Sequence, residues 1–392
     1  MIVFMYPGQG SQKPGMGEAW VGHPSWELVV DAAETSGRDL ESLLLRADAD
    51  ELKQTRNAQV ATFLTSMVIF DAVQRVGAEA AAHAGHSLGE YSALTASGAL
   101  DFDDAVNLVT ERGEAMQICA EADEGVMAAV LGLDDKLVES ACHRIDADVW
   151  VANYNAPGQV VIAGSPEAVA EAGAMAKDLG AKRVMPLPVS GAFHTPFMSQ
   201  ARDRLRKAID QTDFRDPDHP VYANVDAIGH TCAADWPALL SAQLTSPVRW
   251  RQSLTELDAA GFTTYVELGP GAVLTGAVKR TLSETTNLKV NTPADIDGLL
   301  EAISTPAAGS APAPLEGETL FATERLVVSP CAGVFEAIED EKPGTIIDAG
   351  RLLGHVNGIE VRSAFAGELQ GFLAVHGERV TATQPIAWLR TT

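Results

Sequence analysis

The sequence predicts an α/β chain: a large layered body, a small lobe inserted in it, and a separate β domain toward the C-terminal end. Three observations lead there. From residue 1 to about 290, short apolar runs alternate with longer amphipathic stretches, as at 1–6, 60–76 and 103–120, the order of a mainly parallel sheet covered by helices. Between 304 and 321 the sequence turns to Ala, Pro, Ser and Gly with no apolar period, which reads as a linker. Beyond it, from 322 to 392, the chain repeats itself. SPCAG at Ser329 returns as SAFAG at Ser363, and Gly344 and Ala349 recur as Gly377 and Ala382. The expected domains are therefore 1–303 and 322–392, joined by the 304–321 linker.

With 392 residues and 46% hydrophobic content, the chain can bury more than one core. Its 53 acidic and 28 basic residues leave a formal charge of −25. That field repels phosphate backbones and anionic lipid surfaces, so neither nucleic acid nor a membrane is an expected partner. An acidic ligand then needs a local basic patch, for which Lys182, Arg183, Arg202, Arg206, Lys207, Lys279 and Arg280 are available. Four scattered cysteines, Cys119, Cys142, Cys232 and Cys331, form no metal or disulfide framework and suit a reducing compartment. The opening MIVFMYPGQG reads as a strand rather than a signal peptide, and no stretch reaches transmembrane length. A cytoplasmic place and no metal site are expected.

Along the chain, the first strand runs into PGQGSQ at 7–12, a Gly-rich turn that lets the backbone approach a ligand closely. At 80–97, AAAHAGHSLGEYSALTAS places Gly85-His86-Ser87-Leu88-Gly89 between a short apolar segment and an Ala-rich helical pattern, the context of a nucleophile elbow in an α/β-hydrolase-like body. Such a turn aims the Ser87 hydroxyl out of the sheet. The next helix then begins where an oxyanion would form, so the Leu88 NH is a candidate donor. The residues before the serine are Ala-rich where a buried strand is normally rich in Val or Ile, so the strand is inferred from context.

Residues 124–188 follow the order strand, helix, strand, strand, helix, strand, a ferredoxin-like lobe that would wall one side of a cleft. Asn153 and Asn155, in VANYNAPGQVVIAG, lie on it. VSGAFHTPFM at 189–198 and QLTSPVRW at 243–250 follow.

Taken together, PGQGSQ, GHSLGEY and VSGAFHTPFM resemble, in order along residues 1 to about 290, the malonyl-CoA:acyl carrier protein transacylases and the acyltransferase domains of polyketide synthases. The resemblance implies a covalent Ser87 nucleophile with His194 as general base. It implies an oxyanion hole of the Gln9 and Leu88 main-chain NH groups, and a main-chain carbonyl at Gln243 that holds the imidazole. Arg112, in LVTERGEAM, matches the arginine that binds the free carboxylate of the acyl group, for which a planar guanidinium offers two parallel hydrogen bonds. Phe193 matches a residue of malonyl-selective domains, and Asn153 and Asn155 fall in a segment similar to a substrate-facing loop. The implied partners are malonyl-CoA and an acyl carrier protein in fatty acid or polyketide synthesis. Two rivals stand beside it: a hydrolase that uses the same Ser87 and His194 to clear stalled acyl groups from carriers, and a non-catalytic scaffold, against which the retained Ser87, His194, Arg112 and Gln9 argue.

The repeated C-terminal segment resembles biotinyl/lipoyl-attachment domains, flattened β barrel-sandwiches whose modified lysine sits on the hairpin joining the two halves. That hairpin is HVNGIEV here, with the tight-turn pair Asn357-Gly358 at its tip. The one lysine of the segment, Lys342, lies in the first half. Neither biotin nor lipoate is expected, no cofactor is expected to be bound, and coenzyme A thioester enters only as substrate. With the attachment chemistry gone, two roles remain open, docking of a carrier protein or a synthase partner and a stabilising appendage that covers part of the acyltransferase; docking is preferred, because a tether gives high local concentration.

Overall fold

The computed structural model describes residues 1–189, 191–304, 324–338, 342–363, 365–381 and 384–390. The expected linker lies outside them apart from Ser304, as does Ala382. The backbone forms two compact units, Met1–Pro306 and Ala307–Thr392.

In the first unit the strands are β1 (Ile2–Tyr6), β2 (Ala82–Gly85), β3 (Val126–Leu131), β4 (Val149–Ala156), β5 (Gln159–Gly164), β6 (Arg183–Pro186), β7 (Val221–Tyr222), β8 (Gly229–His230), β9 (Thr264–Leu268) and β10 (Thr286–Val290). The main sheet has the order β10-β9-β1-β2-β7-β8. All neighbours are parallel except the edge pair β7 and β8. Its central strand is buried on both faces, as helix-covered parallel sheets require. Val3 and Met5 pack on one side with Trp250, Leu254 and Val278, while Phe4 and Tyr6 pack on the other with Phe63 and Phe70 of the helix Thr55–Arg75.

β2 ends in a glycine because the chain above it leaves no room. A Cβ on Gly85 would stand 1.9 Å from the Gly89 carbonyl, and one on Gly89 would stand 2.0 Å from the Tyr6 oxygen. The helix Gly89–Ala96 thus starts directly on the ends of β1 and β2, and side-chain bulk at the elbow is excluded by backbone atoms.

The inserted lobe is an antiparallel sheet of order β4-β5-β3-β6. Helices Asp135–His143 and Pro166–Asp178 cover one face, sharing a core with Val130 and Ile162. Alternate residues Met127, Ala129, Val161 and Ala163 of the same strands join the core of the main body, so the sheet has two buried faces. The lobe is also tied by main chain: the Val248 NH donates to the Ala152 carbonyl and the Tyr154 NH to the Val248 carbonyl, each at 2.9 Å.

The second unit holds β11 (Glu324–Val328), β12 (Gly333–Ala337), β13 (Ile346–Ile347), β14 (Leu352–Val356), β15 (Ile359–Arg362), β16 (Gly367–Phe372), β17 (Arg379–Val380) and β18 (Pro385–Arg390). They form two antiparallel sheets, β11-β18-β16-β13 and β15-β14-β12-β17, and exchanging the two sequence halves turns one order into the other. Matching hydrogen bonds repeat as well. Ser329 Oγ donates to the Cys331 carbonyl and Ser363 Oγ to the Phe365 carbonyl, both at 2.6 Å. The Gly344 NH donates to Leu369 and the Gly377 NH to Phe335, both at 2.7 Å. Asn357 (φ 51°) and Gly358 (φ 77°) join β14 to β15 in the doubly left-handed turn that suits strand twist.

Candidate active site

Ser87 stands between β2 and the helix Gly89–Ala96 with φ 52°, the left-handed conformation a sharp elbow imposes on a residue with a side chain. His194 is also left-handed, at φ 63°. Its Nε2 lies 2.8 Å from Ser87 Oγ, and its Nδ1 lies 2.9 Å from the main-chain oxygen of Gln243. A carbonyl only accepts, so Nδ1 carries the proton and Nε2 is left with a lone pair toward the serine hydroxyl. Burial, reinforced by the nearby Arg112 charge, pushes the imidazole down to about 3, so it is neutral at ordinary pH and able to take a proton.

Arg112 comes from the long helix Phe102–Ala122 and is 1% exposed. Its Nη2 donates to Ser87 Oγ at 3.1 Å and to Gln243 Oε1 at 2.9 Å, and its Nη1 donates to Gln59 Oε1 at 2.7 Å. The guanidinium lies 5.5 Å from the centre of the Tyr91 ring, and its Nε is buried without a partner among the described residues. Arg112 thus sits behind the serine with spare hydrogen-bonding capacity.

The main-chain NH groups of Gln9 and Leu88 have no acceptor among the described residues. The Ser87 NH does have one, Asn224 Oδ1 at 2.7 Å. A cleft opens over the serine, walled by Gln9, His86, Phe193, Asn153, Asn155 and Arg280. Phe193 is buried against Gly191, where any Cβ would meet its ring at 2.8 Å. Asn153 and Asn155 are on β4, not on a loop: irregular register at Val151/Asn153 and Tyr154/Ala156 alters the alternation, and both border the cleft. Asn155 Oδ1 accepts from His86 Nε2 at 2.8 Å.

The structure therefore brings Ser87, His194, Arg112, Gln243, Gln9, Leu88, Phe193, Asn153 and Asn155 to one place. Of the basic residues offered for a patch, Arg280 borders the cleft, whereas Arg202 pairs with Asp203 and Arg206 with Asp210. Three residues of the site went unread in the sequence. Gln59 holds Arg112. Asn224 fastens the elbow through the Ser87 NH and, from its Nδ2, through the Gly85 carbonyl at 2.7 Å. Glu90 is a fully buried carboxylate that accepts from the Asn224 NH at 2.6 Å and from Gln243 Nε2. The available signal for Glu90 was its place three residues after Ser87, the one charged residue in the helix Gly89–Ala96. Among the described residues no cluster of His, Cys, Asp and Glu is able to hold a metal, and no helix is long and apolar enough to cross a membrane.

This arrangement is that of an acyl-transferring serine enzyme, and residues 3–296 match the acyl transferase domain family, to which the chain belongs. It is 43% identical over 301 residues to the malonyl CoA-acyl carrier protein transacylase of Bacillus subtilis, covering 76% of this chain and 95% of the relative. It is 41% identical over 308 residues to the protein of the same name from Escherichia coli K12, covering 76% and 99%. An acyl carrier protein S-malonyltransferase from Vibrio cholerae superposes with a TM-score of 0.74 at 39% identity, covering 76% of this chain and 99% of that one. A malonyl-transacylase solved in complex with its type II PKS acyl-carrier protein superposes with a TM-score of 0.74 at 37% identity, covering 77% and 99%.

Proposed function

We propose that this acyltransferase moves a malonyl group from coenzyme A to the phosphopantetheine thiol of an acyl carrier protein, by way of an ester on Ser87. The observation that carries the reading is the placement of Ser87 Oγ within hydrogen-bond reach of both a neutral His194 and the buried Arg112. In the first half-reaction Oγ attacks the thioester carbonyl as His194 Nε2 takes its proton. The oxyanion forms against the Leu88 and Gln9 NH groups. Collapse breaks the C–S bond, and His194 returns the proton to the leaving coenzyme A sulfur. The second half runs in reverse order: the carrier thiol gives its proton to His194, attacks the ester carbonyl, and Ser87 leaves as the hydroxyl. No electrons are exchanged, and coenzyme A enters as substrate.

Arg112, whose Nη2 donates to Ser87 Oγ in the free enzyme, pairs with the malonate carboxylate once that oxygen has become an ester oxygen. This favours a carboxyacyl donor over acetyl and argues against the hydrolase reading, because the ion pair retains the acyl-enzyme. Phe193 narrows the space for a branching methyl, a difference worth about 1–3 kcal/mol. Asn153 and Asn155 face the acyl and pantetheine path, and Arg280 offers a positive group at the cleft against the overall charge of −25.

At the domain level, 1–303 is the acyltransferase, with an α/β-hydrolase-like body and a ferredoxin-like lobe at about 124–188. Residues 304–321 are a linker, and 322–392 form an unmodified biotinyl/lipoyl-like barrel-sandwich. The two interchangeable sheets support that last assignment, and the tip Asn357-Gly358 offers no lysine to modify. Docking of a carrier or synthase partner is its role in this reading, in the cytoplasm.

Intact-protein mass spectrometry tests the central claim. Brief exposure to malonyl-CoA adds one malonyl group to the wild type and none to Ser87→Ala, and a pantetheinylated carrier removes it. Free malonate with an unlabelled carrier identifies the hydrolase, and no adduct from any donor identifies the scaffold.

A further inference from the structure

The fold surrounds Glu90 with hydrogen-bond donors. The side chain is fully buried on the first turn of the elbow helix, and each carboxylate oxygen has a separate donor: the Asn224 NH for Oε1 and Gln243 Nε2 for Oε2. Both partners belong to the reacting centre. Asn224 holds the Ser87 NH, and Gln243 meets the centre through three groups. Its main-chain oxygen orients His194, its Nε2 also donates to the Ser87 carbonyl at 2.8 Å, and its Oε1 receives Arg112. The Gln243 amide stands between Glu90 and Arg112, accepting from the guanidinium and donating to the carboxylate.

We infer that Glu90 is a positioning residue for acyl transfer: as an anion it fixes the Gln243 and Asn224 groups that set His194, Ser87 and Arg112 in register. The inference rests on the acyl-serine reading above. Its chemical core is that two donors converge on one side chain. A carboxylate accepts on both oxygens, whereas a carboxylic acid or an amide turns a donor toward one of them. Protonation of Glu90 therefore sets a donor against a donor inside a dry network and loosens the carbonyl that holds His194.

That coupling gives a pH signature. Burial raises the Glu90 carboxyl to about 7, opposed by the Asn224 NH, Arg112 and Gln243, while Asp226 adds to the rise. Across its packing neighbours, the charged or titratable groups facing it are Arg112 on the helix Phe102–Ala122 and Asp226 on the loop after β7. Tyr91, next on its own helix, is held protonated by burial. The anion is the competent form, so acylation weakens as pH falls through about 7. His194, neutral far below that, does not account for the same limb.

The test is single-turnover malonylation of the full chain across pH 5–9, with the Ser87 adduct followed by mass spectrometry, in wild type and Glu90→Gln. The wild type is expected to lose rate below about pH 7. Glu90→Gln is expected to be about ten- to a hundredfold slower at pH 8, with KM for malonyl-CoA nearly unchanged and the acid limb gone. An unchanged limb in Glu90→Gln, or an effect confined to KM, overturns the assignment. If the variant does not fold, the wild-type profile decides alone: a rate flat from pH 5.5 to 8 overturns it, and a limb near 7 supports it. A wild type that forms no Ser87 adduct at any pH removes the acyl-serine reading itself, a separate failure from a wild type that acylates without regard to Glu90.

Discussion

Arg112 is the residue whose replacement should separate the acyl donors most sharply. Its guanidinium reaches Gln59, Gln243 and Ser87 at once, and a lysine offers one point charge in place of that fork. Arg112→Lys is expected to lower malonyl adduct formation by about a hundredfold while leaving acetyl adduct formation from acetyl-CoA within a fewfold, each read as initial adduct yield. Equal losses for the two donors would remove Arg112 as the acyl selector. Ser87, His194 and Arg112 were legible in the sequence because each lies in a short run of distinctive neighbours. Glu90 and Asn224 were not, because their work is done across chain separations of 134 and more residues and no local pattern records it.

At the level of elements, the elbow is set by backbone crowding rather than by strand or helix preference. Gly89→Ala would press a methyl to 2.0 Å from the Tyr6 oxygen. Its expected cost is on the order of 1–3 kcal/mol, read as a lower urea midpoint at constant slope, together with loss of acylation. Gly276→Ala is the contrast. It lies within the helix Val273–Thr281, where the nearest atom to a new Cβ is an Arg280 side-chain nitrogen at 3.7 Å, so a gain of about 0.5–1 kcal/mol is expected. A midpoint that falls in both variants would contradict the crowding argument. β2 was inferred only from its surroundings because alanines carry little strand preference, and the crowding that shapes the elbow shows in the sequence only as Gly85 and Gly89. The repeat and its Asn-Gly turn were plain in the C-terminal segment because tight turns demand particular residues, whereas β13 and β17, two residues each, leave no readable period.

For the whole molecule, each of the two units has its own core, the second centred on Phe335, Leu353, Leu369 and Leu389. Calorimetry of the full chain is expected to resolve two transitions, with malonyl-CoA raising the midpoint of one and leaving the other in place; a single transition shifted as a whole would show that the units melt as one. Within the first unit, the pair of main-chain bonds that joins Val248 to β4 starts five residues after Gln243, whose carbonyl holds His194. The wall of the cleft and the aim of the imidazole are consequently one fixture. Amide hydrogen exchange at Tyr154 and Val248 should be equally slow with and without malonyl-CoA, and faster exchange on either side of binding would count against this. A substitution that frays β4 at Ala152 or Tyr154 would therefore reach the general base by way of Val248, so damage to the cleft wall is expected to read out as damage to catalysis.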